Sequence, residues 1–273
     1  MKTVIFCVNY NSYKELKNYM YSIEGAFYRN EKVRNMEDSV TVIIIDNSQE
    51  YQEYKYQGPI DVQCFHTNEN LGYFGGVRYG IRSSKLNLIE YDFIIISNVD
   101  LILSEDFFLQ LYNERYDENI GCIAPSIISK YEKVNRNPKV LTRYSKRKLE
   151  ILRAMNKYPI LMQIYSRYFH ASSRSKVESQ TLADMDIYAA HGSFMIFTNK
   201  SAAFLQNMKF LSFMFCEELF IAEELRNMGL RTVYKPQIKV VDIDHVSTSK
   251  MKSDFYYKCN YESLNMILGE YYK

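Results

Sequence analysis

Long apolar runs are missing from this 273-residue chain. No segment approaches the roughly 20 residues needed to cross a bilayer. The opening, Met1-Lys2-Thr3-Val4-Ile5-Phe6-Cys7-Val8-Asn9, holds too short an apolar core for a secretion signal and runs straight into a polar turn. Cysteines are few and scattered, at Cys7, Cys64, Cys122, Cys216 and Cys259. With no CxxC pair among them, a zinc site or a redox motif is not expected. Four of the five stand beside apolar or aromatic residues, as small core side chains do in a reducing compartment. These absences predict a cytoplasmic protein. Charge of one sign is lacking too. The formal balance is only +2, so global charge points to no polyanionic partner. There is no internal repeat and no low-complexity tract. The glycines at 72, 75 and 76 are not followed by Gly-Lys-Ser/Thr, so they are no P-loop. They follow a loop rather than a first strand, which makes them a poor dinucleotide fingerprint.

What is present is a β/α alternation. Apolar residues make up 47% of the chain, enough for one large α/β domain or one domain with an insertion. Residues 3–8, 40–45, 62–65 and 93–97 read as strands buried on both faces, the kind found in parallel sheets. Ser12 with Glu15 fits a capping box, after which Leu16, Met20, Ile23 and Phe27 recur at helical spacing. Residues 78–84 read as a second helix. Ser104-Glu105-Asp106 opens a third, with acids suited to the helix dipole. Residues 120–127 read as a strand, and 185–198 as β structure broken at His191-Gly192-Ser193. A helix over 217–228 ends at Gly229, a good residue just past a helix. Residues 231–234 and 238–243 read as two further strands, the second closed by His245, and a helical tail follows over 251–273. The alternation predicts a mostly parallel sheet with right-handed crossovers.

Three of the predicted strands end in polar clusters, at Asn9-Tyr10-Asn11, Asp46-Asn47-Ser48 and Asn98-Val99-Asp100. They should meet along one sheet edge, where open α/β sheets bind ligands. A hard cation on a diphosphate suits such an edge, because the protein then supplies one or two oxygens while phosphate and water complete the shell. Asn and Asp are also common turn residues, so each cluster alone reads equally as a strand end.

In order and rough spacing, Asn9-Tyr10-Asn11, Asp46-Asn47-Ser48, Asn70-Leu71-Gly72 with Gly75-Gly76, Asn98-Val99-Asp100, Glu217-Glu218 and His245 resemble family-2 glycosyltransferases. The branch they look like is the rhamnosyltransferase-like one of bacterial surface-polysaccharide synthesis. The resemblance covers about residues 1–128 and 185–250. It implies a GT-A fold, with a Rossmann-like sheet flanked by helices. It also implies a nucleotide-diphosphate sugar donor (UDP- or dTDP-linked), Mn2+ or Mg2+, and inversion at the anomeric carbon. On this pattern the chain is a single GT-A domain, with a nucleotide-sugar half over 1–128 and an acceptor half over 185–250. Asp46 would bind the nucleotide, and Asn9, Asn11, Asn70, Gly72, Gly75, Gly76 and Asn98 would lie on the donor side. Arg78 stands where the family often has Asn, and would meet either diphosphate or a surface acid. Asp100 would hold the metal, and His245 a metal or phosphate oxygen, with Asp242 and Asp244 as competitors. Asn98 replaces the first Asp of the family's Asp-x-Asp. Glu218 takes the position of the family's catalytic base, with Glu217 the fallback. His191 and Gly192 match the loop facing the acceptor. His66 and His170 have no pattern around them.

Residues 130–180 form a basic insert. From Lys139 to Lys176 the basic residues are Lys139, Arg143, Lys146, Arg147, Lys148, Arg153, Lys157, Arg167, Arg174 and Lys176, against one acid, Glu150. Apolar residues interleave them. The stretch suits an anionic membrane surface on the inner face of the cell, and so a lipid-linked acceptor. It equally suits a helical pair with one face on the core, or a dimer contact through Leu161, Ile164 and Tyr168. No stacking-module pattern accompanies it, so nucleic acid is not expected.

The leading reading is a metal-dependent inverting hexosyltransferase acting on a glycan or lipid-linked saccharide. A sugar-nucleotide pyrophosphorylase would want a basic glycine-rich loop after the first strand, where Asn9-Tyr10-Asn11 stands. A non-catalytic scaffold with a decayed site is the reading from another class, permitted by Asn98 and Glu218.

Overall fold

The apolar runs become strands because each has two faces to bury. A computed structural model describes residues 1–28, 37–158, 183–243 and 253–273. Strands β1 (Lys2–Asn9), β2 (Ser39–Asp46) and β4 (Phe93–Asn98) send successive side chains into two separate cores. Val4, Phe6, Ile43, Ile45, Ile94 and Ile96 enter one; Ile5, Cys7, Val42, Ile44, Phe93 and Ile95 enter the other. The strand period of two explains the split. Burying each large aliphatic chain is worth about 1.5–3 kcal/mol over leaving it exposed.

The described strands form one nine-stranded sheet, in the order β3-β2-β1-β4-β8-β6-β9-β5, with β7 paired to β9. Here β3 is Asp61–His66, β5 Leu101–Leu103, β6 Ile120–Ser129, β7 Met185–Ile187, β8 Phe194–Thr198 and β9 Arg231–Asp242. The first four are parallel, as the alternation predicts. The second half is mixed, while the longest ladders remain parallel. β8 enters from the edge where β4 ends, so it runs back antiparallel to both β4 and β6. β6 and β9 are parallel, while β5 and β7 pair antiparallel with β9. The two strands expected over 231–243 are one. Its register with β6 jumps between Lys235 and Lys239, a bulge that takes up Pro236, and the interrupted pattern had read as two segments.

Helices cover both faces. α1 (Tyr13–Tyr28) and α3 (Phe107–Asn113) pack on one core; α2 (Tyr73–Ser84), α4 (Lys146–Lys157), α5 (Ala202–Gln206), α6 (Glu217–Asn227) and α7 (Ser253–Tyr271) pack on the other. In α1 the buried stripe includes Leu16, Met20, Ile23 and Phe27, as their spacing predicts. The capping box does not form; the Ser12 hydroxyl donates to the Tyr10 carbonyl, 3.0 Å. α2 starts at Tyr73, inside the glycine segment. Glu105 and Asp106 precede α3 rather than filling its first turn. α6 ends in a Schellman motif: Gly229 (φ 71°) donates to Arg226 and Leu230 to Leu225.

Within the basic insert, α4 buries Leu149 and Met155 and leaves Lys146, Arg147, Lys148 and Lys157 outside. It packs along α7, where Arg153 donates to Asn265. Insert residues 159–180, with Leu161, Ile164, Tyr168 and His170, lie outside the described residues, as do Asp244 and His245. Among the described residues, no helix is long and apolar enough to cross a membrane.

Candidate active site

The parallel register brings the polar clusters to one edge. Asn9 pairs with Asp46, Asp46 with His66, and Val8 with Asn98, so the carboxyl ends of β3, β2, β1 and β4 lie side by side. β1 alone separates the ends of β2 and β4. At about 4.8 Å per strand step, Asp46 and the Asn98-Val99-Asp100 turn are separated by roughly 10 Å of backbone. The two turns therefore open onto the same edge of the sheet.

Asp46 is 5% exposed and fixed from three sides. The Asn9 side-chain amide (3.2 Å) and the Ser48 backbone amide (3.0 Å) donate to Oδ1; the Tyr13 hydroxyl donates to Oδ2 at 2.6 Å. A carboxylate offers about four acceptor positions, so one remains for a ligand. Asn9 also accepts from the Ser12 amide, and Asn11 (φ 53°) donates its amide to Ser48. Asn9 and Asn11 thus build the turn that holds Asp46.

The glycine segment closes the next side. Asn70 accepts from the Gly72 amide, 3.0 Å, and Asn47 donates to the Gly72 carbonyl, 2.8 Å. Gly72 has φ 73°, and a Cβ there would stand 2.0 Å from the Phe213 carbonyl oxygen. Gly76 packs on Asn47 at the close range its missing Cβ allows. Gly75, with Gly76, lies in the first turn of α2, whose opening amides have no acceptor within the helix. Arg78 Nη1 donates to the Phe210 carbonyl, 2.9 Å, and Nε is buried with no hydrogen-bond partner.

At β4, the Asn98 amide donates to Ser193, 2.9 Å, tying this strand to the loop before β8. The Asp100 carbonyl accepts from Ile243, the last described residue of that segment. Asp242 is held by Arg136, Nε to Oδ2 2.6 Å, so an arginine competes with any cation there. Asn98 and Asp100 offer oxygens, the donor type a hard cation takes. Among the described residues no three His, Cys, Asp or Glu side chains cluster as a metal site.

The fourth side carries the acids. His191 is held by Asn137, which accepts its amide at 2.8 Å and donates to Pro125. The imidazole Nδ1 lies 2.8 Å from the Ser193 hydroxyl. A Cβ on Gly192 would sit 3.6 Å from Glu218 Oε2, so α6 opens directly onto this loop. Glu217 is 7% exposed, and burial, then the neighbouring Glu218, push its carboxyl up to about 8.

Several contributors carried no sequence signal. Tyr13 holds Asp46. His66, incidental by sequence, stands beside Asp46 in register, contacts the Ser48 carbonyl at 3.1 Å and packs on Tyr51. The Tyr73 hydroxyl is buried without a hydrogen-bond partner. None of these roles shows in spacing, because each depends on which strand lies next to which.

A central sheet between two helical layers, with polar clusters at the carboxyl ends of β1, β2 and β4, is the architecture of a GT-A fold. The chain belongs to glycosyl transferase family 2, whose model matches residues 4–179. The match stops before 185–250, the second stretch of the sequence resemblance. No curated protein matches the chain. Among solved structures it is similar to GalNAc-T7 with UDP, GalNAc and Mn2+, at 10% identity and a TM-score of 0.58, over 98% of this chain and 48% of that one. A mannosyltransferase, PcManGT from Pyrobaculum calidifontis, in complex with GDP-Man and Mn2+, matches at 12% identity and a TM-score of 0.48, over 98% of this chain and 74% of that one. The chain therefore spans about half the length of the first of these.

Proposed function

We propose that the protein is an inverting glycosyltransferase that moves a sugar from a UDP- or dTDP-linked donor to a glycan or lipid-linked saccharide. What supports this reading is that Asp46 and the Asn98–Asp100 turn close the strands on either side of β1 at one carboxyl edge, while Asn98 bonds the 191–193 loop that Glu218 faces, in a family-2 chain. The nucleotide lies over the ends of β1 and β2, where the remaining acceptor position of Asp46 takes a base N–H or a ribose hydroxyl. Asn9, Asn11 and Asn70 hold the loops that receive it. The diphosphate lies toward Asn98 and the opening turn of α2, where Gly72, Gly75 and Gly76 allow close approach and the helix amides favour anions. A divalent cation, Mn2+ or Mg2+, held by Asp100 and by His245 would offset charge on the departing diphosphate. The acceptor enters beside His191 and Gly192. Glu218 takes the proton from its hydroxyl as that oxygen bonds to the anomeric carbon, and the carbon–oxygen bond to the diphosphate breaks. The setting in bacterial surface-polysaccharide synthesis, on a rhamnosyltransferase-like branch, rests on the motif order. The basic insert fits an anionic membrane carrying the acceptor.

A thermal-shift screen of UDP- and dTDP-sugars with Mn2+ tests the reading, since a ligand of the native state raises its stability. Stabilisation by one donor class, abolished in Asp100→Ala, is expected. Neither binding nor nucleotide release across the panel would leave the scaffold reading in its place.

A further inference from the structure

Glu217 and Glu218 are neighbours in sequence but not in surroundings. Glu218 is half-buried, with Oε2 facing the 191–193 loop. Glu217 is buried, and its Oε1 accepts the backbone amide of Phe215 at 2.9 Å. That bond closes a turn in which both Phe215 (φ 72°) and Cys216 (φ 62°) occupy the left-handed region. L side chains avoid this region, and bulky ones most of all. Two in succession persist only where the surroundings impose them. Cys216 is also the N-cap of α6 and makes no side-chain cap bond there.

The turn is clamped from outside as well. The Ser263 hydroxyl of α7 donates to the Met214 carbonyl at 2.6 Å. The Tyr256 ring meets Phe215 edge-on, centroids 4.9 Å apart. The Phe213 carbonyl fills the space left by the missing Cβ of Gly72. These contacts hold the segment leading into α6, and among the described residues the Glu217 carboxyl alone bonds the amide of a left-handed residue from inside the turn.

We propose that Glu217 is a positioning residue, whose carboxyl locks the Phe215–Cys216 turn and so aims Glu218 at the acceptor loop, leaving Glu218 the sole base. The inference rests on the glycosyltransferase reading for its chemistry and on the turn geometry for its structural half. The raised pKa is compatible with it: burial favours the protonated carboxyl, which still offers Oε1 as an acceptor to the Phe215 amide. The groups that act on one another at this spot are Glu218, Cys216 and the buried phenol of Tyr73. The lock needs only an acceptor oxygen, which a glutamine amide also supplies.

Two readouts separate the possibilities. The first is hydrogen exchange at the Phe215 amide, which requires no substrate. Protection is expected in the native protein and in Glu217→Gln, and its loss in Glu217→Ala; equal protection in all three overturns the lock. The second is nucleotide release from the donor found in the screen, with kcat and KM measured separately. Glu217→Ala should lower kcat about 100-fold at nearly constant donor KM, as a base displaced by an ångström would. Glu217→Gln should recover most of that loss, while Glu218→Gln falls about 1,000-fold. Glu217→Gln as inactive as Glu218→Gln would make Glu217 the base and overturn the proposal. A native protein that neither binds nor cleaves any donor would sink the enzymatic reading and the aiming role with it, and the Phe215 exchange would still report on the lock.

Discussion

The carbonyl oxygen of Phe213 occupies the place where a side chain on Gly72 would begin, 2.0 Å from the ideal Cβ position. The glycine segment opening α2 is thereby backed directly onto the chain that leads into Glu217 and Glu218. Any adjustment of one passes to the other, because backbone meets backbone with no flexible side chain between.

Gly72→Ala should therefore cost more than its backbone angle alone. Gly229 has nearly the same φ, 71° against 73°, but a Cβ there would meet nothing within 4 Å. Gly229→Ala isolates the conformational penalty, about 1–2 kcal/mol. Gly72→Ala should exceed it clearly in urea unfolding and lower turnover as well, since the Phe213 segment must move. Equal costs at the two sites would mean that the contact with Phe213 yields freely.

Asp46 makes a different prediction, because its known partners at both oxygens are donors: Asn9, Ser48 and Tyr13. Asp46→Asn turns an acceptor into an amide that must point hydrogen at another donor. A loss of about 1–3 kcal/mol in unfolding free energy is expected. Affinity for the nucleotide should fall with it. Tyr13→Phe removes one donor only, leaves both amide contacts, and should be the milder change in both assays.

How much of this was legible in the sequence follows from what kind of information each feature needs. The buried runs of β1, β2 and β4 were readable because two-sided burial forces continuous apolar residues, and their polar ends followed from where those runs stop. The meeting of Asn9, Asp46 and Asn98 was readable once the sheet was taken as parallel. The mixed second half was not, because the direction of β8 depends on the edge from which it enters. Pro236 hid the continuity of β9, since a bulge has no period of its own. The hold of Asn137 on His191, and of Tyr13 on Asp46, joins residues 54 and 33 positions apart, and local pattern carries nothing about such pairs. Arg78 stands where the family often has Asn, and the pattern left its role open; its guanidinium donates to the Phe210 carbonyl, a pairing that no local spacing encodes.

The buried carboxyl of Glu217 sets a pH dependence whose sign is fixed. Its folded pKa is about 8, against about 4.3 for an unfolded glutamate. Between those values the native state keeps a proton that the unfolded chain has released. Stability from this group therefore falls as pH rises through that window, and levels off above about 8. Glu217→Gln cannot titrate, so the difference in unfolding free energy between mutant and native protein should widen in the mutant's favour from pH 5 to pH 8. A difference that stays constant would place Glu217 in an ordinary solvated environment.

The last prediction concerns what keeps α6, and so both acids, in place. Glu223 has a side chain with no solvent exposure, and it receives Arg143 through Nε (2.6 Å) and Nη2 (3.2 Å). Tyr188 donates at 2.5 Å, and Arg226 lies at 3.3 Å. Burial alone would raise this carboxyl, yet Arg143 and Tyr188 hold it below the usual range. Breaking a fully buried pair from one side costs about 3–5 kcal/mol. Arg143 is about a third exposed and Arg226 and Tyr188 remain, so Arg143→Ala should fall below that range. Because the folded pKa is depressed, the stability lost is the part present at neutral pH and absent in acid. The melting temperatures of native and Arg143→Ala protein should accordingly differ at pH 7 and converge as the pH drops below 4. Arg143 also donates to the Tyr271 carbonyl at the end of α7. Its removal should loosen that helix from α6 and lower turnover even where the protein remains folded, with Glu223→Gln, which keeps an acceptor for Arg143, the gentler variant.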